Sequence, residues 1–230
     1  MIDGLLFDKD GTLFDFRASW GRWAEDFLAR IARDAGHAAR LGQAIGFDRA
    51  TGSFAPDSPV IAATAADIAA ALVRELPGLT VAELTERIDA SAAQAPMSEA
   101  VPLRPLLESL RRKGLRLGLA TNDSEAPARQ HLAAHGITDC FDFIAGYDSG
   151  HGAKPGPGMC LAFARVTGLA PDRVAMVGDS RHDLEAGRAA GMRTIAVLTG
   201  IARREDLAPH ADVVLGTIGE IPGWLAGLEP

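Results

Sequence analysis

IDGLLFDKDGTLFD, residues 2–15, begins as a short apolar run and ends among acids. Residues 2–7 read as a buried strand that closes at Asp8. Side chains alternate along a strand, so Asp8 and Asp10 are expected on one face, with Lys9 pointing away. Gly11 then lets the chain turn sharply. Two neighbouring carboxylates repel, and a hard cation such as Mg²⁺ relieves that repulsion most readily. The plainer alternative is an acidic turn after a strand.

Beyond this segment the texture becomes helical, from about Ser19 to about Gln94. Trp20, Trp23, Ala24, Phe27, Leu28 and Ile31 recur at the spacing of one helix face, which reads as packing rather than a substrate platform. Ile68, Leu72 and Leu76 repeat the pattern over 64–76, and Thr80 with Glu83 forms a capping-box pair that opens a further helix. Between these lies a turn-rich stretch, Gly46 to Pro59, and residues 96–105 read as a loop. Strands and helices then alternate. The predicted strands are 115–121, 141–146, 173–179, 193–199 and 211–216, with helices ending near Gly136 and Gly191 and another beginning near Pro157. Short apolar strands between amphipathic helices imply a parallel sheet covered on both faces. The simplest arrangement returns the first strand to that sheet. Residues 1–15 and 101–230 then form an α/β core, and 16–100 form an all-α insertion joined near Asp15 and Pro96. Such an insertion sits over the carboxyl edge of the sheet, where open α/β sheets bind ligands.

Composition excludes several classes. The chain has 230 residues, 47% of them apolar and 23% charged, which suits a globular protein with a sizeable core. Thirty acids against 23 Lys and Arg leave a net charge of −7, a poor match for sequence-independent nucleic-acid binding. The two cysteines, Cys140 and Cys160, are too few for a disulfide scaffold and read as buried thiols. No window approaches the about 18 apolar residues of a membrane span. MIDGLLFDKDG carries no basic segment and no long apolar run, so no secretory signal is expected and the cytoplasm is the expected compartment.

Three later strand ends add polar groups. Thr121-Asn122 offers a hydroxyl and an amide ahead of a helix N-terminus, a suitable cradle for a phosphoryl oxygen, although helix capping also explains it. Lys154 lies in GHGAKPGPG, where four glycines and two prolines keep the loop irregular around one positive charge. Asp179 and Asp183 stand four apart at a strand-to-helix junction and could complete a Mg²⁺ site. Each feature has a local explanation. In one sheet, however, the four strand ends converge, and acids, a hydroxyl and a lysine around a cation fit phosphoryl transfer.

These residues resemble the haloacid dehalogenase superfamily, in the form with a helical cap inserted after the first motif. DKDGTLFD from Asp8, Thr121-Asn122, Lys154-Pro155 and GDSRHDLEAG from Gly178 match its four motifs in order. The resemblance implies a Rossmann-like three-layer α/β core with a parallel sheet, and a phosphoric monoester hydrolase. Asp8 would be the nucleophile that forms an aspartyl-phosphate, and Asp10 the acid and then the base. Thr121, Asn122 and Lys154 would bind phosphate. Mg²⁺ would be held by Asp8, by Asp10 through its backbone carbonyl, and by Asp179, with Asp183 as a further acid beside the metal.

Similar dehalogenases lack the second aspartate, and similar phosphonatases rely on a cap lysine, whereas residues 16–100 contain no lysine. A mutase of the β-phosphoglucomutase type keeps both acids, although Thr12 in place of a common valine leans toward hydrolysis. A non-catalytic phosphate-binding or receiver-like module is a third reading, disfavoured by Asp10, Thr121 and Lys154 together. The nearest organisation is that of phosphoglycolate phosphatases, so the expected partner is a small phosphorylated metabolite, phosphoglycolate-like or a sugar phosphate. Here Phe16-Arg17 follows Asp15, a departure from their usual first motif. Arg17, or Arg49 in the 46–59 stretch, is a candidate contact for a substrate carboxylate, and that stretch is expected to face the site. His151 and His182 are candidate pocket residues.

Overall fold

Gly4–Phe7 forms β1, buried along its whole length. The computed structural model describes residues 2–228; Met1, Glu229 and Pro230 of the expected core segments lie outside the described residues. The other core strands are β4 (Arg116–Ala120), β5 (Phe143–Ala145), β6 (Val174–Gly178), β7 (Arg193–Val197) and β8 (Val213–Leu215). They assemble with β1 into a six-stranded sheet in the order β5-β4-β1-β6-β7-β8, parallel throughout. The first strand of the sequence is therefore central, between β4 and β6, and its uninterrupted apolar run follows from burial on both faces.

The pleat sorts the core into two layers. Leu5 and Phe7, Leu117 and Leu119, Ala175 and Val177 point to one side. There they pack on α5 (Leu103–Arg112), α6 (Glu125–Ala134) and α10 (Ile221–Ala226). Leu6, Met176 and Ala120 point to the other side, toward α7 (Gly158–Thr167) and α8 (Arg181–Ala189). A short helix, α9 (Arg204–Leu207), covers the β7 end through Leu207.

Residues between Phe16 and Ala92 build a separate apolar cluster from α1 (Phe16–Ile31), α2 (Ala35–Ala44), α3 (Ala65–Leu72) and α4 (Val81–Ala92). Capping sets two of these boundaries. Asp15 accepts the Ala18 N–H at 2.8 Å to start α1, and Thr80 with Glu83 closes a capping box on α4. The chain segments joining this helical unit to the core run side by side. Asp15 N–H donates to the Ser98 carbonyl at 2.8 Å, and Ala100 N–H to the Leu13 carbonyl at 2.9 Å.

Three expectations change. Helix α5 begins at Leu103, inside the stretch read as loop 96–105, because Pro102 and Pro105 fall where a first turn tolerates proline. The turn-rich 46–59 stretch holds a small antiparallel ribbon, β2 (Phe47–Asp48) with β3 (Ser53–Phe54), within the otherwise helical insertion. Its phenylalanines pack as a tilted pair, 4.8 Å between ring centroids, which anchors the ribbon on the cap core. The 64–76 helix is shorter, giving way to a 3₁₀ turn at Val73–Glu75. Among the described residues, no helix is long and apolar enough to cross a membrane.

Leu117→Ala removes a fully buried side chain from the centre of the larger layer. It is expected to cost about 2–5 kcal/mol in urea unfolding, against within about 0.5 kcal/mol for Val166→Ala, whose side chain is 60% exposed. Equal losses at the two positions would refute this assignment of the core.

Candidate active site

Beyond β1, the Asp8 N–H donates to the Val177 carbonyl at 2.8 Å and extends the ladder by one residue. The chain then turns tightly, with the Lys9 carbonyl accepting from Leu13 at 3.0 Å and Phe14 at 3.1 Å. Gly11 sits at φ +82°, where a side chain is strained. A Cβ there would also lie 2.3 Å from Asp179 Oδ2, so glycine is what lets Asp179 approach this turn.

Because the strand stops at Phe7, its alternation does not reach Lys9, which does not point away from the acids as expected. Lys9 is fully buried and curls back. Its ammonium lies 2.6 Å from Asp123 Oδ2, 3.2 Å from Asp10 Oδ2 and 3.0 Å from His131 Nδ1. His131 Nε2 faces the Ala92 carbonyl at 2.8 Å, so that nitrogen carries the hydrogen and Nδ1 accepts from Lys9. Burial, and then the Lys9 charge, pull the His131 pKa down to about 4. Asp10 Oδ1 accepts the Trp20 indole N–H at 2.8 Å, so Trp20 has a role in the site beyond the packing expected of it. Burial raises the Asp10 pKa against the pull of Lys9, and Asp123 adds to the rise.

Lys154 reaches the same edge from the loop after β5. Its ammonium donates to Asp8 Oδ1 at 2.5 Å and to the Ala120 carbonyl at 2.8 Å, and lies 2.6 Å from Asp183 Oδ1. Burial opposes this charge, but Asp183 and Asp8 outweigh it and the Lys154 pKa rises. Burial raises Asp8 to about 7 despite Lys154, with Asp183 and Asp10 adding to the rise. Burial also drives Asp179 well above its ordinary value, reinforced by Asp8 and Asp183.

Thr121 is buried, and its Oγ1 accepts the Asp123 N–H at 3.0 Å, which leaves the hydroxyl proton available to a ligand. Asn122 lines the same cavity as Thr121. Its amide donates to the Lys154 and Ala62 carbonyls at 2.9 and 2.8 Å and accepts the Lys154 N–H at 2.9 Å. Both ends of the amide are engaged, so the Asn122 side chain clamps the Lys154 loop to β4 and to the cap. Asp183 Oδ2 closes a capping box with Ser180, at 3.0 Å from its N–H and 2.7 Å from its hydroxyl. The Ser180-x-x-Asp183 spacing carries that signal in the sequence.

Asp8, Asp179 and Asp183 each offer an oxygen within 4.8 Å of the others, a suitable donor set for a hard divalent cation. Asp179 Oδ2 is buried without a hydrogen-bond partner, the kind of orphan acceptor that a metal ion satisfies. Asp183 Oδ1 also lacks a well-aligned hydrogen bond, but the adjacent Lys154 charge partners it. Asp10 contributes no carboxylate oxygen to the cluster, since its side chain is turned toward Trp20 and Lys9.

These groups border one cavity beneath the cap, together with Trp20, Trp23, His182 and the segment Val60–Ala63. His182 is the candidate histidine that reaches it; His151 stands beside Phe143 and does not line it. Arg17 is exposed and outside the lining, and Arg49 is paired with Glu25 at 2.9 Å on the β2–β3 ribbon. The cap segment that faces the acids is therefore Val60–Ala63, just beyond the expected 46–59.

A profile of haloacid dehalogenase-like hydrolases matches residues 2–191. The chain belongs to the haloacid dehalogenase-like hydrolase family. It is 32% identical to a phosphoglycolate phosphatase of Rhodospirillum rubrum over 125 residues, which cover 54% of this chain and 52% of that one. The chain spans about half the length of the curated relatives it matches. Among solved structures, a HAD phosphatase from Thermococcus onnurineus superimposes with a TM-score of 0.69 at 24% identity, over 98% of this chain and 99% of that one. A β-phosphoglucomutase from Clostridium difficile gives 0.67 at 17% identity, over 99% and 96%. At these identities the structural matches establish a shared fold.

Lys9→Met leaves Asp10 and Asp123 without their buried cation and is expected to destabilise the protein by about 3–5 kcal/mol in urea unfolding at neutral pH. Adding Asp123→Asn removes one stranded charge, so the double variant is expected to be more stable than the single. A single variant as stable as wild type would contradict the pairing.

Proposed function

We propose that this chain is a divalent-metal-dependent phosphomonoesterase that hydrolyses a small phosphate ester through an aspartyl-phosphate on Asp8. The observation that carries this reading is the pairing of Asp8 with Lys154 in one cavity with Asp10, which is held by Trp20 and Lys9. The phosphoglycolate phosphatases among the relatives support a small phosphate monoester as substrate.

An Asp8 oxygen would attack phosphorus while the bond to the leaving oxygen breaks and its electron pair stays on that oxygen. Asp10, whose burial favours the protonated form, would donate its proton there. The Trp20 indole and the Lys9 ammonium fix the orientation of its two oxygens. In the second half, Asp10 takes a proton from water, the water oxygen attacks phosphorus, and the Asp8 carboxylate leaves as inorganic phosphate forms. Lys154 and the Thr121 hydroxyl would hold equatorial phosphoryl oxygens, and Lys154 keeps Asp8 beside them. Asp8 and Asp179, with Asp183 behind them, would hold a divalent ion such as Mg²⁺, which when bound neutralises the acids and polarises the phosphoryl group.

The test is hydrolysis of p-nitrophenyl phosphate and of a phosphate-ester panel. Activity is expected to vanish with EDTA and with folded Asp8→Asn, and to fall roughly 10²–10⁴-fold in Asp10→Asn. Inorganic phosphate equal to ester consumed supports hydrolysis. Conversion of a hexose 1-phosphate to its 6-phosphate without phosphate release would support a mutase instead.

Metal binding has a second readout. The folded Asp8 pKa of about 7 exceeds the ordinary 3.8, so without metal the folded state retains a proton that the unfolded state has lost. Stability of the metal-free protein is therefore expected to fall as pH rises through that window. Mg²⁺ is expected to raise the Tm more at about pH 7.5 than at about pH 5, because the cluster binds it ionised. A Tm insensitive to Mg²⁺ at both values would count against the metal site.

A further inference from the structure

The cavity is strongly asymmetric. On the core side stand Asp8, Asp10, Asp123, Asp179 and Asp183. The cap side is apolar, built chiefly from Trp20, Trp23, Ile61, Ala63, Ile68 and Ile88. Among the described residues, the lining has no arginine, and Lys154 is its one lysine. That ammonium is already engaged by Asp8, Asp183 and the Ala120 carbonyl, and it lies on the phosphoryl side. The two indole N–H groups that the cap presents are also engaged. The Trp20 indole N–H is on Asp10, and the Trp23 indole N–H is on Ser91 Oγ at 3.1 Å.

A carboxylate on the leaving group would thus be pressed against hydrocarbon, and the nearest further ammonium, Lys9, is shared between Asp10 and Asp123 and lies outside the lining. A buried charge without a partner is strongly disfavoured. Arg17 and Arg49, the cations whose type suits a carboxylate, are exposed and bound to Glu25 respectively. Arg181 and Arg203 belong to an adjoining cavity, which shares Ile61–Ala63, Ser180 and His182 with this one. His182 is the remaining side chain in the lining able to carry positive charge, and its Nδ1 sits 3.3 Å from the Ala62 carbonyl.

We propose that the leaving group of the substrate is uncharged and largely apolar, an alkyl or aryl alcohol rather than a hydroxy acid. This rests on the phosphomonoesterase reading and narrows its substrate class. The Val60–Ala63 segment is the specificity-determining wall: it closes over the leaving group and rejects a carboxylate for lack of a counter-charge.

The experiment compares kcat/KM for propyl phosphate, phenyl phosphate, 2-phosphoglycolate and the neutral amide of 2-phosphoglycolate, which matches it in shape. The three neutral-tailed esters are expected to exceed 2-phosphoglycolate by about tenfold or more. Ile61→Arg places a cation in the wall and is expected to raise 2-phosphoglycolate relative to propyl phosphate by about tenfold. Ala63→Lys makes the same test should Ile61→Arg fail to fold. A smaller or reversed preference in the wild type overturns the inference while leaving the phosphatase reading intact. Failure to hydrolyse any ester, p-nitrophenyl phosphate included, overturns that reading and this inference with it.

Discussion

Lys154 holds Asp8 on one side and Asp183 on the other, deep at the carboxyl edge of the sheet. Remove that ammonium and a group of buried carboxylates is left to repel itself. The geometry around it follows from this constraint. Asn122 pins the Lys154 backbone so that its side chain enters at a defined height, and Ser180 with Asp183 caps α8 so that one carboxylate oxygen remains for the lysine. The glycines at 11 and 200 leave room for Asp179, whose Oδ2 would lie 2.3 and 1.7 Å from Cβ atoms placed there. Even so, two ammonium groups do not balance five acids, and the surplus negative charge is what suits the cluster to a divalent cation.

The second ammonium, Lys9, ties chemistry to architecture. It joins Asp10 to Asp123 and, through neutral His131, to the carbonyl at the end of α4. Ser124 on the core meets Asp89 of α4 at 2.9 Å, and Asn122 meets Ala62. Each of these contacts crosses from core to cap beside the acid that faces the cavity. Cap position and the environment of Asp10 are therefore parts of one polar network, and the cap both excludes water from the acids and helps set their charge state. The same closure gives the cavity its two faces, carboxylates below and hydrocarbon above.

Much of this was legible in the chain. The order of apolar runs marks the six core strands within one or two residues, the helix-stopping glycines mark the ends of α6 and α8, and the capping box at Thr80 opens α4, because hydrophobic period and helix ends are local properties. Cys140 and Cys160 are buried thiols, as their apolar neighbourhoods indicate. Asp8, Thr121 and Asp179 could be picked out because each stands where an apolar strand gives way to a polar loop, and Lys154 because it is the one positive charge in a glycine- and proline-rich loop. The direction of Lys9 was not legible, since strand alternation fails once the strand ends. Nor was the double engagement of Asn122, whose partners lie 32 and 60 residues away in sequence.

The residue types at the strand ends, and the parallel pairing of those strands, can be read from the chain alone, because side-chain chemistry and hydrophobic period are written locally. Tertiary structure alone decided which of those groups touch. It set Trp20 on Asp10, took Arg17 and Arg49 away from the cavity, and turned Val60–Ala63 toward it. Contacts between residues far apart in the chain depend on how the cap rests on the sheet, a property of packing that no short window of residues records.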